Sequence, residues 1–307
     1  MQREKLTRSG PLLEADFYPV FSDGRKMPTR APKTKPSTEA QQRYNRLMTA
    51  KKLIRLVNAN FDNTDYWFHP TYKPALAPQD EKQARRDMAN FFRRVRTKRA
   101  SEARRLEKDL ADAEAAVAVM PSNSFLVGEV ERLKKAIAKL RAPFKYLYRI
   151  EGAVYQRGPL AGRINWHFHV FITGGLDRTV IEQMWPEGIR VNCDRFQPER
   201  FGHEAAALYM SKDSQGSARF VYSRNLDKPE PMKKDGSVSR RTVERMAKKH
   251  FDDREFWERR YKGYKFVRCY SRYNEYNGHW YVSAIMYRSD DAPPDWKIDD
   301  WITSDCA

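Results

Sequence analysis

Between residues 100 and 142 the apolar positions recur at alternating four- and three-residue steps. Leu106, Leu110, Ala113, Val117 and Met120 keep that rhythm, Pro121-Ser122-Asn123-Ser124 interrupts it, and Leu126, Val130, Leu133, Ile137 and Leu140 resume it. Heptad-like spacing on both sides of a proline-containing turn predicts an antiparallel helical hairpin. It is expected as an insertion projecting from the main domain, with its apolar seam satisfied internally. Just before it, Met88, Phe91, Phe92 and Val95 set one apolar stripe among arginines and predict a helix over 78–99.

Elsewhere β-branched and aromatic residues dominate short runs. Residues 53–60 (LIRLVNAN) and 65–72 (DYWFHPTY) predict two strands about an Asp-Asn-Thr turn, after a short helix over 38–52. Residues 144–151 (FKYLYRIE) and 164–172 (INWHFHVFI) predict a strand pair bridged by a loop containing Gly158-Pro159. A short helix is expected at 178–185 and a strand at 188–193. A helix with alanines at its centre follows at 202–212 (GHEAAALYMSK). Residues 219–223 read as a strand, 224–242 as a Lys-rich polar loop and 242–260 as helix, with strands at 264–273 and 279–288 around Asn277-Gly278. Strands interspersed with helices, hairpins among them, predict an α+β fold: an antiparallel sheet with flanking helices and the inserted hairpin. Residues 1–40, polar and carrying Pro28, Pro32 and Pro36, are expected as a flexible basic arm. Residues 41–290 are expected as the main domain, and 291–307 as a tail.

Charge narrows the function. Lys and Arg number 58 against 40 acidic residues, a formal net charge of +18. A surplus of that size makes a polyanion the expected partner, nucleic acid before a membrane surface. No run of about 18 apolar residues occurs, and residues 1–5 (MQREK) start no signal-peptide stretch, so a cytoplasmic protein is expected. Cys193, Cys269 and Cys306 are too far apart for a zinc knuckle, and their odd number builds no disulfide framework; reduced packing residues are expected.

On a strand, alternation sends His167 and His169 to one face and Trp166, Phe168 and Val170 to the other. Two neighbouring imidazoles suit a divalent metal, although a strand with incidental histidines has the same pattern. If the two strands pair across the Gly158-Pro159 loop, Glu151 reaches the imidazoles and completes a three-ligand site. That donor set suits Mg2+, Mn2+ or a softer ion and leaves positions open for a phosphate oxygen; otherwise Glu151 is a surface glutamate. Tyr209 and Lys212, three apart, share a helix face. The phenol is a weak nucleophile until phenolate is stabilised, and an ammonium nearby assists; a packed tyrosine with a solvated lysine has the same spacing. Arg93, Arg94, Arg96 and Lys98 are candidates to track phosphates beside aromatics that stack bases, or else form a solvated basic face.

A strand Glu, a strand His-Phe-His and a helix Tyr-Met-Ser-Lys about forty residues later resemble the HUH endonuclease superfamily, specifically its single-tyrosine rolling-circle replication initiators. The first motif strand of that family has its counterpart in residues 65–72, which here read Phe-His-Pro-Thr-Tyr where a Thr-Leu-Thr-Tyr-like ending is usual. Asn90–Arg96 (NFFRRVR) is similar to the Phe- and Arg-rich helix of phage- and plasmid-type members. Arg224-Asn225-Leu226 with Pro229 resembles a segment found after the tyrosine helix in some of them. The likeness spans about 50–290, with His69-Pro70 and the long hairpin as departures.

The resemblance implies Tyr209 as the nucleophile on a scissile phosphodiester, Glu151, His167 and His169 as ligands of Mg2+ or Mn2+, and Lys212 as the phosphate or phenolate partner. It implies a 5′-phosphotyrosine link and a 3′-OH that a polymerase extends. The expected partner is single-stranded DNA or an origin hairpin in a bacterial host cell. No Gly-x-x-x-x-Gly-Lys-Ser/Thr segment is present, so a host helicase is expected to unwind. A relaxase or transposase shares this chemistry. A non-catalytic single-strand binder needs only the charge and aromatics, and a cupin-like metalloenzyme needs more strands and no such charge.

Overall fold

The computed structural model describes residues 1–21, 38–157, 161–188, 191–196, 204–211 and 220–289. The chain is α+β, with two five-stranded antiparallel sheets in two compact units, where a single main domain is expected from sequence. The first unit comprises residues 1–60, 197–211 and 227–307, and the second residues 61–196 and 212–226. No helix among the described residues is long and apolar enough to cross a membrane.

In the first unit, residues 2–19 are paired strands, where a flexible arm is expected over residues 1–40. They form β1 (Gln2–Ser9) and β2 (Leu12–Pro19), a hairpin through Gly10-Pro11 with Ser9 opposite Leu12. Gly10 has φ +57°, and a Cβ there would collide with the Asn58 carbonyl oxygen, so the turn requires glycine. The charged residues Glu4 and Asp16 of these strands find their partners inside the unit. Glu4 accepts from the Tyr261 hydroxyl at 2.6 Å and from Ser237 Oγ at 3.1 Å. Asp16 accepts from Lys5 Nζ at 3.1 Å and Ser283 Oγ at 2.7 Å. Composition alone reads such residues as solvated, whereas here they are cross-links. Pro28, Pro32 and Pro36 lie outside the described residues, as do 291–307.

Strands β8 (Met232–Asp235), β9 (Tyr264–Asn274) and β10 (His279–Arg288) complete this sheet in the order β8-β1-β2-β10-β9. The polar loop expected over 224–242 thus contains an edge strand. The helix expected at 242–260 is two, α6 (Arg240–Lys248) and α7 (Arg254–Arg260), capped by Ser239 and Asp253. The strand expected at 53–60 is instead the end of α1 (Glu39–Asn60). Ala50, Leu53, Ile54 and Val57 are buried at helical spacing, a pattern that the β-branched run obscures. The short helix α5 (Glu204–Ser211) belongs to this unit.

In the second unit the sheet order is β6-β3-β5-β4-β7, from β3 (Tyr66–Pro70), β4 (Tyr146–Val154), β5 (Ile164–Ile172), β6 (Val191–Arg195) and β7 (Val221–Tyr222). A short helix α4 (Arg178–Gln183) precedes β6. One sheet face buries Phe68, Ile150, Phe168 and Val170 against α2 (Glu81–Val119), with Phe68 and Phe91 stacked at 4.8 Å. Helix α2 runs unbroken for 39 residues and merges the helix expected at 78–99 with the first arm of the hairpin. Its return arm is α3 (Ser124–Arg141).

The hairpin is not self-contained. Ala103, Leu106, Leu133 and Leu140 join the unit's core, while Val119 and Phe125 at its tip are exposed. Arg99, buried at 3 % exposure, donates to the carbonyl oxygens of Lys139 (2.8 Å), Ala142 (3.0 Å) and Gly174. One guanidinium thereby ties α2 to the end of α3 and to the loop after β5. Arg99→Met should destabilise the protein by about 3 kcal/mol, because buried carbonyls lose a charged donor. Arg99→Lys should recover little, since an ammonium lacks the planar fork. Removing residues 118–130 through a short Gly/Ser link should leave the melting temperature nearly unchanged, whereas removing 100–142 should unfold the second unit; thermal melts check all four.

Candidate metal centre

The register of β4 and β5 sets Glu151 directly opposite His167 and Arg149 opposite His169. Residues opposite one another in an antiparallel pair share a face, so the carboxylate, the guanidinium and both imidazoles project to the side away from α2. Glu151 divides its oxygens. Oε2 lies 3.3 Å from His167 Nε2 and 3.4 Å from His169 Nε2, while Oε1 lies 3.6 Å from Arg149 Nε. Hydrogen bonds from the two imidazoles, with the Arg149 charge behind them, hold the Glu151 carboxyl well below its ordinary value of 4.5. His169 is almost fully enclosed, and His167 is the more open of the two rings, with 27 % of its side chain exposed.

One donor atom from each of Glu151, His167 and His169 falls within 4.8 Å of the other two. Ligands at about 2.1 Å on neighbouring positions of an octahedral ion stand roughly 3 Å apart. The two carboxylate–imidazole separations are close to that, and the two imidazoles offer donor atoms within 4.8 Å of each other, so the donor set is one that could hold a divalent ion. Three protein donors would leave such an ion positions open for exogenous oxygens.

Sequence reasoning passed over His69 as a ring of consequence. Its Nδ1 lies 2.9 Å from His169 Nδ1, on the side of that ring away from Glu151. Burial, and then the adjacent His169, push His69 down to about 4, so it is neutral near pH 7. The alternation of Trp67, His69 and Thr71 within the strand at 65–72 was the available signal; its alignment with β5 was not. Thr71 bridges to His167, and Phe68 pairs with Val170, so His69 falls opposite His169.

Four of the other residues singled out from sequence are placed apart from this cluster. Arg93, Arg94, Arg96 and Lys98 lie on α2, behind the sheet. Arg94 donates to the Met184 carbonyl at 2.9 Å and pairs with Glu187 at 3.2 Å. Arg96 lies over the Phe144 ring, Arg93 donates to Asn90 and Lys98 pairs with Glu102. These four are engaged within the unit and do not converge with the imidazoles. Tyr209 lies on α5 in the first unit, whereas Glu151, His167 and His169 lie in the second. Lys212 lies outside the described residues. Asn225 donates to the Phe144 carbonyl at 3.3 Å and Leu226 is buried, a packing role for part of the segment that resembles the family. Cys193 and Cys269 are both buried free thiols, and burial pushes each up to about 12.

No protein-family model, curated protein or solved structure matches this chain.

Two outcomes follow from the geometry. Calorimetric titration with Mn2+ should give one saturable site, lost in His167→Ala and His169→Ala and weakened at least tenfold in Glu151→Gln. The Glu151 carboxyl is depressed in the folded state, so its stabilising contribution is complete above about pH 4.5 and declines as pH falls toward the folded value. Without metal, the stability gap between wild type and Glu151→Gln should therefore stay constant from pH 7 to about 5 and shrink below that. Urea melts across this range measure it.

Proposed function

We propose that this chain is a metal-dependent endonuclease that nicks and rejoins single-stranded DNA, acting as a replication initiator of the HUH type. The observation that carries this reading is the gathering of Glu151, His167 and His169 on one sheet face in a strongly basic protein. A divalent ion bound there supplies a Lewis acid for the scissile phosphodiester. Glu151, His167 and His169 would hold the ion, and the exposed side of His167 leaves room there for a phosphate oxygen.

The nucleophile in this reading is Tyr209. Its phenol oxygen bonds to phosphorus as the bond to the 3′ oxygen breaks. The phenol gives up one proton and the freed 3′ hydroxyl takes one up, so the exchange is balanced and reversible, and rejoining is the same step backwards. Lys212 stabilises the developing charge. A 3′ hydroxyl suits extension by a polymerase, and unwinding falls to a helicase from the host. The roles of relaxase and transposase use the same step on other substrates.

Tyr222 is the competing nucleophile. It pairs with Leu147 and so shares the sheet face of Glu151, but Glu151 is four residue steps further along β4. That is about 13 Å along the strand between the two backbone positions, and Tyr222 has no lysine one helical turn away.

Incubation with a single-stranded oligonucleotide pool and Mn2+ should leave protein on the 5′ phosphate of the cut strand. Tyr209→Phe should abolish the adduct while keeping salt-sensitive DNA affinity, which phosphate contacts dominate. Lys212→Ala should slow adduct formation without removing it. Peptide mapping that finds phosphotyrosine at Tyr222, or undiminished adduct in Tyr209→Phe, overturns the assignment of the nucleophile. DNA binding without cleavage in Mn2+ or Mg2+ makes the chain a binding module instead.

A further inference from the structure

We propose that His69 is a positioning residue that holds His169 in the tautomer able to bind a divalent ion, an inference that rests on the metal reading above. The two Nδ1 atoms lie 2.9 Å apart. Two imidazole nitrogens at that distance share one proton between them, so one ring donates and the other accepts. His169 presents its other nitrogen, Nε2, to Glu151 Oε2 at 3.4 Å. For Nε2 to offer a lone pair to an ion, the His169 proton must reside on Nδ1, and His69 Nδ1 is the acceptor that favours it there.

The backbone prepares His69 for this. Pro70 follows it, which disfavours the helical region for His69 and keeps it extended. On one side β3 pairs with β5, and on the other His69 is in register with Asn192 of β6. The Trp67 ring packs 4.5 Å from the His69 ring, centroid to centroid. His69 is outside the cluster of converging donor atoms and reaches it through the far nitrogen of His169.

A second imidazole also serves the metal-free protein. His169 then directs Nε2–H to Glu151, and His69 donates from Nδ1. On loading, the His169 proton resides on Nδ1 and the His69 proton on Nε2. Each ring keeps one proton throughout, and the buried nitrogen pair stays hydrogen-bonded in both states.

The test is Mn2+ titration of the full chain by calorimetry, with circular dichroism as the check on folding. His69→Leu should weaken binding 10- to 100-fold, the range typical of lost outer-shell partners. His69→Asn places Oδ1 where Nδ1 was and should regain most of that loss. In the wild type saturated with Mg2+, long-range proton–nitrogen spectra should show His169 protonated on Nδ1, a readout independent of any variant. Unchanged affinity in His69→Leu, equal loss in the Leu and Asn variants, or His169 protonated on Nε2 in the loaded protein each overturns the proposal. Failure of the wild type to bind Mn2+ or Mg2+ removes the metal reading itself, and this inference with it; normal binding with an indifferent His69→Leu removes this inference alone.

Discussion

The register between β4 and β5 is the constraint on which the candidate site depends. Side chains alternate along a strand, so slipping one residue would turn His167 and His169 into the α2 interface and bring Phe168 and Val170 to the open face. That slip is costly because Phe168, Val170 and Ile150 are fully buried against α2. Each such side chain contributes about 2 kcal/mol or more by leaving water. The apolar face therefore sets the position of the polar one. Glu151 stands opposite His167 because Ile150 and Phe168 are locked in the core on the other side.

Within the polar face, one carboxylate organises its neighbours. Glu151 turns one oxygen to the two imidazoles and the other toward Arg149, so three cationic or proton-donating groups converge on a single acid. Behind His169 stands His69, which occupies the nitrogen that Glu151 does not face. The graded exposure, from buried His169 to partly open His167, gives the cluster a protected base and an accessible mouth. An enclosed base strengthens the electrostatic interactions there.

A similar economy holds the scaffold together. Arg99 satisfies carbonyls from α3 and from the loop after β5, at a place where helix and strand ends would otherwise bury unpaired oxygens. In the first unit, Glu4 and Asp16 draw Tyr261, Ser237, Lys5 and Ser283 together across strands. Arg99, Glu4 and Asp16 are tolerated there because each is given several partners, which keeps the cost of enclosing a charge low.

Strong local periodicity was legible in the chain by itself: the hairpin rhythm of Leu106 to Leu140, the alternation of Trp166 to Val170, and the paired strands that bring Glu151 to His167. These patterns depend on near neighbours, and near neighbours decide which face a residue occupies. Other features were set by partners distant in sequence. The strands at Gln2–Ser9 and Leu12–Pro19 hold polar residues whose partners lie at Tyr261 and Ser283, so composition read them as solvated. The run at 53–60 is helical because Leu53 and Val57 are buried on one helix face, which its β-branched composition did not convey. The hairpin's seam continues into the core, and the α2 arginines bind Glu187, Asn90 and aromatic rings, because packing chose their partners. His69 meets His169 only once β3 lies beside β5, a juxtaposition of residues a hundred positions apart that no local pattern encodes.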